Sequence, residues 1–121
     1  MRTAEVKRKT KETDITIRFS LDGSGHGSIN TGIPFFDHML DSFTRHGRFD
    51  LDIRAIGDLQ TGPHHTIEDI GIVLGQAFSE GLGEGRGIQR FANVTVPMDE
   101  SKAEVAVDVG GRPYLVFEGS F

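Results

Sequence analysis

The sequence predicts an α+β fold. In it a β-hairpin–helix–strand–helix unit is duplicated, the second copy incomplete, with the helices on one face of a mostly antiparallel sheet. Three observations carry this expectation. Several short stretches alternate apolar and polar residues, two longer stretches follow a helical period, and the opening of the chain matches the part after residue 88 at a fixed offset.

The first clear strand is Asp14 to Leu21, where Ile15, Ile17, Phe19 and Leu21 alternate with Asp14, Thr16, Arg18 and Ser20. DGSGHG follows as a hairpin loop, so Ser28 to Thr31 is expected to return as the partner strand. Gly32 and Pro34 break that pattern. Phe35 to Arg45 then reads as a short helix with Phe35, Phe36, Met39, Leu40 and Phe43 on one face and His38 off it. Phe49, Leu51, Ile53 and Ala55 alternate as another strand. The polar loop GDLQTGP leads, through Pro63, into a helix carrying Ile67, Ile70, Leu74, Ala77, Phe78 and Leu82. GLGEGRG ends that helix as a linker. Beyond it Ala103, Val105, Val107 and Val109 alternate, GGRP turns the chain, and Tyr114 to Glu118 is expected to pair back.

At an offset of 88 residues Ala4 meets Ala92, Val6 meets Val94, Glu12 meets Glu100 and Thr13 meets Ser101. Ile15, Ile17, Phe19 and Leu21 meet Ala103, Val105, Val107 and Val109. The chain therefore divides into a first repeat unit over 1–87 and the beginning of a second over 88–121. The counterparts of His38, His64, His65 and Glu68 would all fall past Phe121, so the second copy is expected to be unfinished.

Composition excludes several function classes. Lys and Arg number 13 against 18 Asp and Glu, giving a net charge of −5 with no basic block, which argues against nucleic acid as a partner. The absence of cysteine excludes disulfides and thiolate metal sites, and fits a cytoplasmic location. No apolar run is long enough to span a membrane, and the polar opening MRTAEVKRKTKETD lacks a signal-peptide core.

The motif that carries chemistry is His64-His65-Thr66-Ile67-Glu68-Asp69. On a helix Glu68 lies one turn after His64 on the same face, while His65 is rotated by about 100°. Imidazole and carboxylate suit borderline metals such as manganese, iron or zinc, and adjacent helical histidines suggest ligands dealt to two separate ions. The same residues also read as an acid-capped helix start, with the histidines as loop residues. His46, at the edge of the first helix's apolar face, reads by default as a structural histidine. Arg90 and Arg112 lie beside turns, where a guanidinium fork either binds phosphate or is merely solvated. Glu12 and Asp99 are candidate acids or bases, or ordinary loop carboxylates.

Together the segments RKTKET, INTGIPFFDHML, RHGRFDLDI, GDLQTGPHHTIEDIGIVLGQA, VPMDES and VDVGGRPYLVF resemble the imidazoleglycerol-phosphate dehydratases, in family order over nearly the whole chain. The resemblance implies a lyase of histidine biosynthesis that converts imidazole glycerol phosphate to imidazole acetol phosphate. It implies two Mn2+ ions per active site, and trimers building a 24-subunit shell with sites between subunits. It further implies metal ligands at His38, His64, His65 and Glu68, and substrate contacts at Glu12, His46, Arg90, Asp99 and Arg112, the two arginines clamping phosphate. Glu12, Glu68, His46 and Asp99 are then the expected catalytic groups, with acid and base unassigned. The family's second HHxxE motif, second lone histidine and a further phosphate-binding lysine have no match here. The chain is thus expected to carry part of an active site and to be inactive alone. The competing expectations are a non-catalytic metal-binding or assembly fragment, and a metal-dependent hydrolase sharing only the His-Glu helix.

Overall fold

The computed structural model of the chain describes residues 1–120. It divides into two compact units, one over Met1–Gly83 and one from Glu84 onward. The first unit runs β1 (Thr3–Lys9), β2 (Thr13–Ser20), β3 (Gly27–Asn30), α1 (Pro34–Gly47), β4 (Asp50–Gly57), a 3₁₀ turn at Leu59–Thr61, and α2 (His64–Leu82). The second contains β5 (Phe91–Met98) and β6 (Ser101–Asp108). The fold is mixed α+β, and among the described residues no helix is long and apolar enough to cross a membrane.

The sheet of the first unit has the order β1-β2-β4-β3. β1 and β4 flank β2 antiparallel, and β3 joins β4 in parallel. The expected return of Ser28 to Thr31 alongside β2 is therefore corrected. Both edges of β2 are taken, one by β1 and the other by β4. The loop is drawn instead to β4, whose Asp50 Oδ1 accepts from the backbone N–H of Ser24 (2.9 Å) and His26 (3.1 Å). Asp52 Oδ1 likewise accepts from Ser28 N–H at 3.1 Å.

The alternation in β2 and β4 places Ile15, Ile17, Phe19, Leu51, Ile53 and Ala55 on one buried face. Burying such side chains contributes about 1.5–3 kcal/mol each for the larger ones. α2 covers that face through Ile70, Val73 and Ala77, which recur at helical spacing and are fully buried. α2 ends at Gly83, whose backbone has a φ of 59° and whose N–H reaches Ser79 O at 3.1 Å, closing the last turn. α1 adds Leu40 to the same core. The rest of its predicted apolar face is less buried than its pattern implies: Phe35 is 74% exposed and Met39 48%.

Two buried polar contacts fix where α2 begins. The Thr13 hydroxyl, at the start of β2, donates to Asp69 Oδ2 at 2.6 Å. Arg8 of β1 approaches the other carboxylate oxygen at 3.5 Å. At the end of β4, Gly57 lies so close to Thr66 of α2 that a Cβ there would overlap the threonine hydroxyl. The first turn of α2 is thereby held against β1, β2 and β4.

In the second unit β5 and β6 pair antiparallel. Each strand begins 88 residues after β1 and β2 respectively, and the register is the same: Thr3 pairs with Ser20 and Phe91 with Asp108. The hairpin of the repeat is present in both copies. The expected pairing of Tyr114 to Glu118 with the preceding strand is corrected: β6 pairs with β5 and 114–118 forms no strand, and at the 88-residue offset 114–118 corresponds to 26–30, where β3 pairs with β4 and not with β2. Among the residues of this hairpin Val94, Val96, Val105 and Val107 are about half exposed.

Candidate metal centre

The paired histidines open α2, directly after Pro63. His64 Nε2 lies 2.9 Å from Glu68 Oε2, the one-turn spacing read from the sequence, and both side chains are well exposed. His65 turns elsewhere. Its Nδ1 lies 2.7 Å from Asp58 Oδ2, and the two rings are 5.7 Å apart and nearly perpendicular. The pair thus presents its nitrogens in different directions, as helical geometry requires of neighbours.

Asp58, the partner of His65, is a residue that pattern reading passed over, since a loop aspartate seven residues before a histidine matches no periodic rule. Its own turn fixes it. Thr61 Oγ1 donates to Asp58 Oδ2 at 2.9 Å, and Thr61 N–H reaches Asp58 O at the same distance. The Asp58 carboxylate raises the pKa of the His65 imidazole from its ordinary value, helped by the charges of Glu12 and Glu68. In return His65, then Thr61, holds Asp58 below the usual carboxylate range. Glu12 stands in the tight loop between β1 and β2, with its N–H on Thr10 Oγ1 at 3.1 Å.

The other site residues are distributed. His38 is exposed in the first half of α1 and His46 is exposed near its end. The first turn of α1 is tied to the loop before it by Asp37, whose carboxylate accepts from the Thr31 N–H (2.9 Å) and hydroxyl. Asp99 occupies the turn between β5 and β6 with a φ of 51°. Arg90 Nε and Nη2 form a bidentate fork on Asp108 at 2.6 and 3.2 Å. That contact holds Asp108 below the ordinary carboxylate range. Arg90 and Arg112 line one cleft of about 690 Å³ with Asp108, Gly110 and Tyr114. The two candidate phosphate-binding arginines are therefore brought together.

The donor set at α2 fits a borderline divalent metal. Two imidazoles and a carboxylate lie exposed on one helical turn, and a carboxylate already orients one imidazole through its second nitrogen, as at protein metal sites. Yet among the described residues no group of three or more His, Asp or Glu side chains gathers closely enough to enclose an ion.

Comparison with known proteins agrees with the motifs. The sequence profile described as imidazoleglycerol-phosphate dehydratase matches residues 31–121. The chain is 87% identical, over all 121 residues, to the imidazoleglycerol-phosphate dehydratase of Methanospirillum hungatei, and covers 63% of that protein. It is 69% identical to the same enzyme of Methanoculleus marisnigri, again over 63% of its length. The crystal structure of imidazoleglycerol-phosphate dehydratase from Staphylococcus aureus superposes with a TM-score of 0.84 at 40% identity, over 98% of this chain and 64% of that one. The profile match over three quarters of the sequence, the high identity and the shared fold lead to one conclusion: this chain belongs to the imidazoleglycerol-phosphate dehydratase family.

Proposed function

We propose that this chain supplies part of the active site of a manganese-dependent dehydratase that converts imidazole glycerol phosphate to imidazole acetol phosphate in histidine biosynthesis. The observation that carries the reading is the exposed His64-His65-Glu68 set on the first turn of α2, in a chain of this family. His38, His64, His65 and Glu68 would hold Mn2+, two ions serving each complete site. Bound there, the metals would supply Lewis-acid polarisation of the imidazole ring.

The reaction breaks one C–O and one C–H bond on neighbouring carbons, releases water and leaves an enol that becomes the ketone. The residues of this chain divide that work. Glu12, whose charge acts on His65, and Glu68 are the carboxylates proposed to move protons. Arg90 and Arg112 share a cleft suited to the substrate phosphate, with Arg90 pre-aligned by Asp108. His46 and Asp99 are assigned to further substrate contacts. The working protein is a cytoplasmic homo-oligomer, trimers assembling into a 24-subunit shell, with no nucleic-acid or membrane partner.

A second reading, a metal-binding or assembly fragment without turnover, is favoured by two facts. The chain carries one HHxxE motif, and no three-ligand group closes within its described residues. One experiment addresses both readings. The 121-residue chain, and the same chain joined to the remaining segment of the Methanospirillum relative, are assayed with Mn2+ and imidazole glycerol phosphate. Turnover by the joined polypeptide, abolished by chelator and absent from the 121 residues alone, is the expected result. Turnover by the short chain would contradict the need for two motif copies, and an inactive joined protein would overturn the dehydratase assignment.

A further inference from the structure

We propose that Asp58 is a positioning residue for the metal centre: its carboxylate holds the Nδ1–H of His65 and leaves the Nε2 lone pair free for a divalent cation. The inference rests on the metal-ligand reading above and adds a residue that the HHxxE motif does not contain.

The geometry fixes the roles of the two nitrogens. An ionised carboxylate only accepts hydrogen bonds, so at 2.7 Å His65 Nδ1 is the donor and carries the proton. In the neutral ring Nε2 must then be the acceptor, which is the form that ligates a metal. Asp58 is itself poorly free to move. Its side chain is 15% exposed, Oδ2 also accepts from Thr61 Oγ1, and the 3₁₀ turn of Leu59–Thr61 closes on its carbonyl. Its other oxygen, Oδ1, is buried and makes no hydrogen bond among the described residues, so the carboxylate charge is supported mainly by Thr61 and His65. Among the described residues His64 has no such orienting partner, because its one polar contact there is Glu68, itself a proposed ligand. The two histidines are therefore prepared differently: His65 is pre-oriented by the protein, whereas His64 is free to turn with the ion. Outer carboxylates of this kind commonly contribute about 10–100-fold to metal affinity.

The test uses the 121-residue chain with Mn2+ as the probe, its free concentration read by electron paramagnetic resonance. Ring 15N shifts of His65 report the tautomer independently of metal. Asp58→Ala is expected to weaken Mn2+ binding about 10–100-fold and to convert His65 from the Nδ1–H form to a mixture rich in Nε2–H. Asp58→Asn keeps the shape and an accepting oxygen, so it is expected to fall between Asp58→Ala and the parent. It also serves as the decisive variant should Asp58→Ala fail to fold. In the double variant with His65→Ala, removing Asp58 is expected to cost nothing further, which a merely structural residue would not show. Parent-like affinity and an unchanged tautomer in both Asp58 variants would overturn the proposal. If His65→Ala itself leaves Mn2+ binding unchanged, the metal-ligand reading fails instead, whatever the tautomer does.

Discussion

Replacing His64 or His65 with alanine in the joined, family-length polypeptide is expected to lower Mn2+ affinity by at least about 100-fold and to remove turnover, since each substitution deletes an inner ligand. His64 shares a face with Glu68, while His65 is turned onto Asp58, so the two imidazoles are not interchangeable donors to one ion. Deleting one should leave the ion held by the other in place but weakened. Metal analysis would therefore find about half the stoichiometry in either single variant and almost none in the double. His64 is largely exposed, so His64→Ala should change thermal stability little, whereas His65→Ala should lower it modestly, because Asp58, 15% exposed, loses a hydrogen-bond partner. A double variant with full metal content would exclude these histidines as ligands.

The largest expected effect on stability lies at Phe19. It is fully buried at the centre of the first unit, with ring centroids 5.0 Å from Phe49, 6.2 Å from Phe78 and 6.4 Å from Phe43. Phe19→Ala removes the ring that joins β2 to both helices and to the β4 entry, leaving a cavity that three aromatic neighbours cannot easily fill. The expected cost is about 3–5 kcal/mol. Domains of this size are stable by about 5–15 kcal/mol, so the variant should be partly unfolded at moderate temperature and show a much lower urea midpoint. A midpoint within the parent's uncertainty would mean that the aromatic cluster is not the mechanical centre of the unit.

The strands and helices most legible in the sequence are those with a one-sided core. Ile15-Ile17-Phe19 and Leu51-Ile53-Ala55 alternate because one face of the sheet meets α2 and the other meets water. β1 carries the same alternation only through Ala4 and Val6, set among Glu5, Lys7, Arg8 and Lys9. Its charged edge, a common protection for an edge strand, hides it from pattern reading. β3 was legible as a strand, but its partner was not, because the choice of β4 depends on Asp50 and Asp52 side chains capturing loop N–H groups. The repeat offset was legible, and applied to β1 and β2 as they stand in the structure it locates β5 and β6 to the residue, although alternation alone pointed to Tyr114 to Glu118 as the partner of β6. At the candidate site, the spacing of His64 and Glu68 on one face follows from helix geometry, whereas the hold of Asp58 on His65 depends on a 3₁₀ turn that no periodicity announces. The roles of His38, Arg90 and Arg112 came from family motifs rather than from spacing, and the common cleft of the two arginines emerges only in three dimensions.

The central claim is that the first turn of α2 deals its ligands to two metal ions. It is tested most directly by a crystal structure of the Mn2+-loaded, family-length polypeptide, with the ions located by anomalous scattering at the manganese edge. Two manganese peaks are expected, one bonded to His64 and the other to His65 through Nε2, with Asp58 still on Nδ1 of His65. Both imidazoles on a single ion, or manganese bound away from α2, would contradict it.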